Sequence, residues 1–288
     1  MLNLRTIKRR TMNSDYLTIE NSILVECDRN IQGVINIPDG ITEIAEDAFY
    51  DCQNLTSISI PDGVVKIGDS AFANCKSLNS ITIPNSVIEI DCGAFDCCES
   101  LKSIVIPKGV TSVKYETFQG CSALESVVIP EGVTEIESKA FHCCTSLETI
   151  TLPKTLKDIC GGAFVGCSNL DSVYISDIAT WCQIEFLDES LMYYADNLYL
   201  DGDLVVDVVI PDGVTSISSY AFYNRKNLKS IVISDSVTSI GESAFYDCNA
   251  LVSIVIPDSV TSIGDYAFYE CTSLTPITIP DGVTSIGD

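Results

Sequence analysis

Apolar side chains recur along the chain in a fixed order, and the step of 23 residues from Pro38 to Pro61 repeats through most of it. The consensus unit contains Ala-Phe, a cysteine three residues after the phenylalanine (with Arg225 the one exception), a leucine six residues after it, and an alternating Ile-x-Ile segment that ends at proline or, at 176 and 234, at serine. The phenylalanines are Phe49, Phe72, Phe95, Phe118, Phe141, Phe164, Phe222, Phe245 and Phe268. One unit is too short to bury its own apolar side chains, so the pattern predicts stacked copies in which each position becomes a column.

Each part of the unit predicts a local structure. The alternating Leu-x-x-Ile-x-Ile segment predicts a short strand, and β-branched residues suit a pleated surface. Proline followed by Asp-Gly or x-Ser predicts a turn. The spacing of Ala-Phe-x-x-Cys-x-x-Leu places Phe, Cys and Leu on one side of a short helical turn. The chain is therefore expected to form a right-handed solenoid of short parallel strands.

The repeat resembles that of the bacterial leucine-rich repeat proteins called BspA-like. The motifs that carry the resemblance are SIGESAFYDCNALVSIVIPDSV (239–260) and KIGDSAFANCKSLNSITIPNSV (66–87), and the similarity covers roughly residues 31–288. It implies a leucine-rich repeat solenoid, mostly β, with short parallel strands, turns and short helical turns. It also implies a non-enzymatic, adhesin-like module at the cell surface or secreted, with a host or matrix protein as partner. A cytoplasmic repeat scaffold is the alternative, because no apolar signal segment follows the basic residues near the N-terminus.

Two stretches break the period and set the expected boundaries. Residues 1–15 are expected to be a flexible N-terminus, 16–37 a capping hairpin, and 38–176 the first repeat array. Residues 177–210 form a longer, irregular unit, with a short amphipathic helix expected around Ile178 to Phe186 and a hairpin at the Asp201-Gly202 turn. The second array, 211–288, stops where the next helical turn should begin. We therefore expect either a fragment of a longer repeat protein or end-to-end self-association through an uncapped C-terminal edge.

Net charge and the length of the apolar stretches exclude several classes of function. Forty acidic residues against 16 Lys+Arg give a net charge of −24, which argues against nucleic acid or an anionic membrane surface as partner. No apolar stretch is long enough for membrane insertion.

Most candidate chemistry has a structural explanation. Eight of the 14 cysteines share one interior column, where cysteine behaves as a small hydrophobe. A serine at Cys121 is therefore expected to bury a hydroxyl without a partner. His142 is expected on the surface, and the spacing of Cys92, Cys97 and Cys98 is not that of a zinc site. Acidic residues after the turn prolines suit either the turn itself or calcium. We expect no catalytic residue, cofactor or metal.

Two surface columns are candidates for partner binding. The outward strand positions are mostly Ser, Thr and Val, with one aromatic exception. Tyrosines cluster around the phenylalanines of the second array and are expected to be exposed, as interface tyrosines often are. The candidate residues are Tyr220, Tyr223, Tyr246, Tyr266 and Tyr269, together with Tyr174 on the strand face. The alternative is that repeat duplication copied a tyrosine with no role.

Overall fold

The computed structural model describes residues 16–288, so the segment 1–15, expected to be a flexible N-terminus, lies outside the described residues. The described part is a β-solenoid of about 11 turns with almost no helix. In chain order its elements are β1 (Leu17–Glu20), β2 (Ile23–Cys27), β3 (Gln32–Asn36), β4 (Glu43–Ile44), β5 (Asn54–Ser59), β6 (Lys66–Ile67), β7 (Ser80–Thr82), β8 (Glu89–Ile90), β9 (Ser112–Val113), β10 (Ser126–Val128), β11 (Glu135–Ile136), β12 (Thr149–Thr151), β13 (Asp158–Ile159), β14 (Ser172–Ile175), α1 (Ile178–Trp181), β15 (Glu185–Phe186), α2 (Ser190–Tyr194), β16 (Asn197–Leu200), β17 (Asp203–Leu204), β18 (Asp207–Val209), β19 (Ser216–Ile217), β20 (Ser230–Val232), β21 (Ser239–Ile240), β22 (Ser253–Val255), β23 (Ser262–Ile263) and β24 (Ser285–Ile286).

Each regular coil contributes one strand to a first face and a shorter strand to a second face. The first face consists of the sheets β3-β5-β7, β10-β12-β14-β16-β17 and β18-β20-β22. The second face consists of β1-β2-β4-β6-β8, β15-β13-β11-β9 and β19-β21-β23-β24. Equivalent residues of successive units pair in parallel, as Ser57 does with Ser80 and Lys66 with Glu89. The expected solenoid of short parallel strands is confirmed.

The third side of each coil is the Ala-Phe turn, whose side chains fill the interior. Cys52 N donates to the Phe49 carbonyl within one turn, and Phe49 N donates to the Ala71 carbonyl of the next coil. The phenylalanine rings stack along the axis, with centroids 5.0 to 5.6 Å apart from Phe49 to Phe164. The ladder stops at the irregular unit and resumes at Phe222.

The interior cysteines form a second ladder that connects the coils. Seven of the eight thiols donate a hydrogen bond to the main-chain carbonyl of the phenylalanine in the preceding unit, as Cys121 Sγ does to Phe95 O at 3.2 Å, whereas Cys52 Sγ lies 3.9 Å from the Asp28 carbonyl. The same bond, at 3.0 to 3.2 Å, is made by Cys75, Cys98, Cys144, Cys167, Cys248 and Cys271. The expectation that a hydroxyl at position 121 would have no partner is therefore wrong, because an acceptor is already there.

The N-terminal end differs in detail from the expected hairpin over 16–37. Only β1 and β2 pair antiparallel, so the hairpin ends at Cys27. The next strand, β3, pairs in parallel with β5 and belongs to the first face. The β2 strand pairs in parallel with β4, which places the hairpin against the first coil of the second face.

The irregular unit at 177–210 has two short helices where one was expected. Asp177 caps the N-terminus of α1, since its carboxylate accepts hydrogen bonds from the Ala179 and Thr180 amides. The expected helix over Ile178–Phe186 is only four residues long, because the chain turns into β15. The hairpin at the Asp201-Gly202 turn is present as β16 and β17, with both turn residues at positive φ.

A buried arginine closes this unit against the second array. Arg225 stands where the other units have the interior cysteine, and its side chain is 3% exposed. Its Nη1 donates to the Ala195 carbonyl at the C-terminus of α2, and its Nη2 lies 2.9 Å from the Met192 sulfur. Burial lowers the pKa of this guanidinium to about 10. The longer side chain therefore spans the extra distance that a cysteine would leave open.

Four charged side chains form a cluster across the second face. Lys66 Nζ lies 2.8 Å from Asp91 and 3.3 Å from Glu89, and Lys114 Nζ lies 2.5 Å and 2.8 Å from the same two carboxylates. Hydrogen bonds from Lys114 and Lys66 lower the pKa of Glu89, and for Asp91 they outweigh the opposing effect of burial. We call these four residues the charged cluster.

Packing loosens in the last coil. Phe268, Leu274 and Ile277 are half-buried, and Ile286 is 61% exposed. The strand β24 pairs with β23, whereas residues 274–280 form no strand.

Candidate interaction surface

Five of the six candidate tyrosines lie together along the Phe turns of the second array. Tyr223, Tyr246 and Tyr269 each follow a ladder phenylalanine, and Tyr220 and Tyr266 each lie two residues before one. We call these five residues the tyrosine ridge. Tyr266 and Tyr269 are exposed, but Tyr220, Tyr223 and Tyr246 are half-buried, so the expectation of a fully exposed column is wrong for those three. The rings of Tyr220, Tyr223 and Tyr246 contact one another, and those of Tyr220 and Tyr223 pack against the core.

The ridge is held by ring stacking at the coil repeat distance. Tyr223 and Tyr246 stack with centroids 4.8 Å apart, and Tyr246 and Tyr269 follow at 5.1 Å. Tyr220 tilts against Tyr223 at 6.1 Å, and Tyr266 meets Tyr269 edge-on at 5.9 Å. Because stacked rings cover one another's faces, the ridge presents ring edges and hydroxyl groups to the solvent.

Two of the ridge tyrosines occupy left-handed backbone positions. Tyr220 has φ of 63° and Tyr266 has φ of 56°. The same left-handed position in the other units holds Asp47, Ser70, Gly93, Glu116, Lys139, Gly162 and Ser243. A bulky residue costs more in this region than glycine or asparagine does.

Carboxylates surround the ridge. The Tyr220 hydroxyl donates to Glu242 at 3.3 Å. Burial, reinforced by Glu242 and Glu189, raises the pKa of Tyr220 to about 12, and burial together with nearby Asp247 raises the pKa of Tyr223 and Tyr246. The hydroxyls of Tyr220, Tyr223 and Tyr246 therefore stay protonated at neutral pH in these negatively charged surroundings.

Tyr174, the sixth candidate, lies on a different surface. It stands on the first face and stacks against Tyr199 of the neighbouring strand, with ring centroids 4.7 Å apart. Val128 of the same outward column is 62% exposed, and Val105 is 78% exposed. The first face is thus more apolar than its serine and threonine content indicates, but the structure does not bring Tyr174 into the ridge.

The remaining chemical candidates do not assemble into a reactive site. All 14 cysteines are free, and Cys143 alone is exposed. Cys27 and Cys182, which the repeat left outside the interior column, are both buried. Burial raises the pKa of Cys97 and Cys160 to about 11, which disfavours the nucleophilic thiolate.

His142 and the acidic residues were the other candidates. His142 is half-buried rather than on the surface, and its buried Nδ1 has no hydrogen-bond partner among residues 16–288. Within residues 16–288, no group of three or more His, Cys, Asp and Glu side chains is arranged to hold a metal ion. In the same range, no helix is both long and apolar enough to cross a membrane.

Sequence reasoning missed three residues that shape these surfaces. Tyr193 in α2 lies near enough to contribute to the raised pKa of Tyr223, and it is 60% exposed. Tyr199 follows from the strand register only once the hairpin is aligned with β14. The buried role of Arg225 was signalled only by its exceptional place in the cysteine column.

Comparisons with known proteins agree with this architecture. The chain matches the family model for the BspA type leucine rich repeat region in six copies, over residues 17–116, 89–195 and 195–288. It is 32% identical to a leucine rich cell surface protein from Faecalibacterium prausnitzii A2-165, with 97% of this chain and 76% of that chain covered and a TM-score of 0.54. A leucine-rich repeat protein from Bacteroides ovatus ATCC 8483 is 31% identical, with 96% and 88% covered and a TM-score of 0.48.

A third solved structure shows the fold alone. The pneumococcal vaccine antigen PcpA is 20% identical, with 96% of this chain and 77% of that chain covered and a TM-score of 0.55. No curated protein matches the chain.

Proposed function

Because the chain belongs to the BspA-type leucine-rich repeat family, we propose that it is a non-enzymatic, adhesin-like module that binds a protein at the cell surface through its tyrosine ridge. Repeat proteins of this family support the coarser role of protein interaction. The similarity to a leucine rich cell surface protein of Faecalibacterium prausnitzii supports the cell-surface location, and a host or matrix protein is the partner we propose.

The observation that carries this proposal is the arrangement of the ridge. Five tyrosines lie on one side of three consecutive coils, where a rigid solenoid fixes their relative positions. Tyrosine offers a large apolar ring and a hydroxyl at low entropic cost, because only two torsions are restricted on binding. The ridge therefore has the composition of a protein-binding surface and needs little reordering to bind.

Backbone strain supports the same assignment. Tyr220 and Tyr266 occupy a left-handed position at which asparagine or glycine would be more stable. Strained residues concentrate at functional sites, where the surroundings hold them in place.

Partner capture by a ridge variant tests the proposal. The variant Tyr223→Ser/Tyr246→Ser/Tyr269→Ser is expected to lose capture from host-cell or matrix extracts while keeping the wild-type circular dichroism spectrum. The matched control is Tyr174→Ser/Tyr199→Ser, which removes a stacked tyrosine pair from the first face. Equal capture by wild type and the ridge variant, with loss in the control, would move the binding surface to the first face.

A cytoplasmic repeat scaffold is the second candidate, because all 14 cysteines are unpaired, as expected in a reducing compartment. This observation weighs little against a surface location, since nine of the 14 thiols are buried and seven donate to a phenylalanine carbonyl. Antibody labelling of intact and permeabilised cells of the source organism separates the two. Labelling that appears only after permeabilisation would reject the surface location.

A further inference from the structure

Tyrosines on the turns of the first array contact basic side chains of the same chain. Lys139 Nζ lies 5.4 Å from the centre of the Tyr115 ring. The same ammonium donates to the Tyr115 hydroxyl at 3.2 Å and to Glu116 at 3.0 Å. One lysine is thus held by a tyrosine ring and a carboxylate of the preceding unit, an arrangement that combines cation–π attraction with an ion pair.

A second intrachain cation occupies the column that later becomes the ridge. Tyr50 directly follows Phe49, as Tyr223 follows Phe222. The Arg29 guanidinium lies 5.7 Å from the centre of the Tyr50 ring. Both tyrosines on the turns of the first array therefore carry a cation supplied by the chain itself.

The second array has the tyrosines and carboxylates, but its three basic residues all precede residue 230. Residues 230–288 contain no lysine, arginine or histidine. Their acidic residues are Asp235, Glu242, Asp247, Asp258, Asp265, Glu270, Asp281 and Asp288. Of the basic residues just before this stretch, Arg225 is buried and Lys226 lies 3.0 Å from Asp196, whereas the exposed Lys229 lies beside β20 on the first face.

The carboxylates of this stretch lie where a cation on the ridge would meet them. Glu242 holds the Tyr220 hydroxyl, and Asp247 and Glu270 directly follow Tyr246 and Tyr269. Beside Tyr220, Glu185 of β15 and Glu242 line a shallow groove between the irregular unit and the second array.

We propose that the tyrosine ridge receives the lysine and arginine side chains of a basic segment in the protein partner. The inference rests on the proposed function and names the chemistry of the partner. The arriving cations make contacts of the kind that Lys139 makes with the Tyr115 hydroxyl and with Glu116, because the stacked ridge rings cover one another's faces and leave hydroxyls and carboxylates accessible. Charge complementarity argues for this occupant, because a basic segment relieves the repulsion among the ridge carboxylates.

Direct binding of defined peptides tests the inference. A fluorescently labelled Lys/Arg-rich peptide is titrated with the protein and followed by anisotropy, beside a Glu-rich peptide of the same length. We expect binding of the basic peptide alone, with an affinity that falls as salt rises. Acetylation of the peptide's lysines on a lysine-only version should abolish binding to the wild-type protein. This arm needs no variant to fold, and unchanged binding of the acetylated peptide would overturn the inference.

Two charge-matched variants locate the binding. Glu242→Gln/Asp247→Asn/Glu270→Gln removes three ridge carboxylates and should weaken binding about tenfold. Asp235→Asn/Asp258→Asn/Asp281→Asn removes three carboxylates from the proline turns of the same array and should change affinity less than about twofold. Equal losses would show unspecific attraction to an acidic protein and would overturn the inference.

The two proposals fail in different ways. If the natural partner is captured through the ridge but no basic peptide binds, the chemistry proposed here is wrong and the proposed function stands. If basic peptides bind the ridge but the ridge variant captures the partner as well as the wild type does, the proposed function is wrong.

Discussion

Replacing Cys121 tests whether the interior thiols act as hydrogen-bond donors. Cys121 is fully buried, and its thiol donates to the Phe95 carbonyl at 3.2 Å. Burial raises the pKa of this thiol, so the proton that it donates is retained at neutral pH. Cys182 is equally buried, but its thiol makes no side-chain hydrogen bond within the described residues, which makes it the matched control.

The magnitudes follow from the two environments. Cys121→Ala removes a buried sulfur and should lower the free energy of unfolding by about 1–2 kcal/mol. Cys121→Ser adds the free-energy cost of desolvating a hydroxyl, but a hydrogen bond to the Phe95 carbonyl offsets about 1 kcal/mol of that cost. The serine variant should therefore be as stable as the alanine variant to within about 0.5 kcal/mol. At Cys182, serine should be about 1–2 kcal/mol less stable than alanine, because the thiol there makes no hydrogen bond within the described residues that a hydroxyl could take over.

Urea unfolding under reducing conditions measures these differences. Circular dichroism reports the whole solenoid, and the fluorescence of Trp181, the single tryptophan, reports the irregular unit. Coincident transitions are needed before free energies are compared, because repeat arrays can unfold in segments. If Cys121→Ser were more than about 1 kcal/mol less stable than Cys121→Ala, the thiol ladder would not be a hydrogen-bond ladder.

Three further predictions concern other parts of the chain. Lys114→Met should destabilise by about 1 kcal/mol at neutral pH. Because the pKa values of Glu89 and Asp91 are lowered in the folded state, the stability difference between wild type and Lys114→Met should vanish as pH falls below about 4. Urea melts at a series of pH values measure it, and a difference that persists at low pH would contradict the prediction. Arg225→Ala should lower the free energy of unfolding by about 3 kcal/mol, because it leaves a cavity and an unpaired carbonyl at the end of α2. A urea unfolding transition, followed by Trp181 fluorescence, that matches the wild type would contradict this. Tyr266→Asn should keep or raise the melting temperature, because it relieves a left-handed tyrosine, while it weakens partner capture.

End-to-end association of the last coil remains a proposal with its own test. Ile286 is exposed on the final strand, where a second copy has apolar side chains and strand edges to pair with. Light scattering should show concentration-dependent growth in mass, and Ile286→Lys should suppress it. A wild-type protein that stays monomeric at high concentration would refute the proposal.

The strict repeat explains why so much of the fold was predictable. In a solenoid, equivalent residues meet their own copies at a constant offset, so a sequence period becomes a spatial column without further information. The stacked phenylalanines, the buried cysteines and the parallel pairing of Ser57 with Ser80 all follow from that offset. The same logic placed the stacked tyrosines of the ridge side by side.

The irregular unit resisted prediction because no copy of it exists to define a column. Its sequence indicated the Asp201-Gly202 hairpin, which is a local property of the turn residues. The second helix and the burial of Arg225 are not local. They depend on how far the extra residues push one array from the next, and on which side chain can span that distance.

The sequence by itself determined the 23-residue unit, the interior ladder and the position of the tyrosines along one edge, because each of these depends only on the period. The tertiary structure alone decided which polar groups meet across the coils. It gave the Cys121 thiol an acceptor, left Cys182 without one, and set Arg29 and Lys139 over tyrosine rings of the first array. Those contacts depend on side-chain direction and reach within a few ångströms, which residue spacing does not encode.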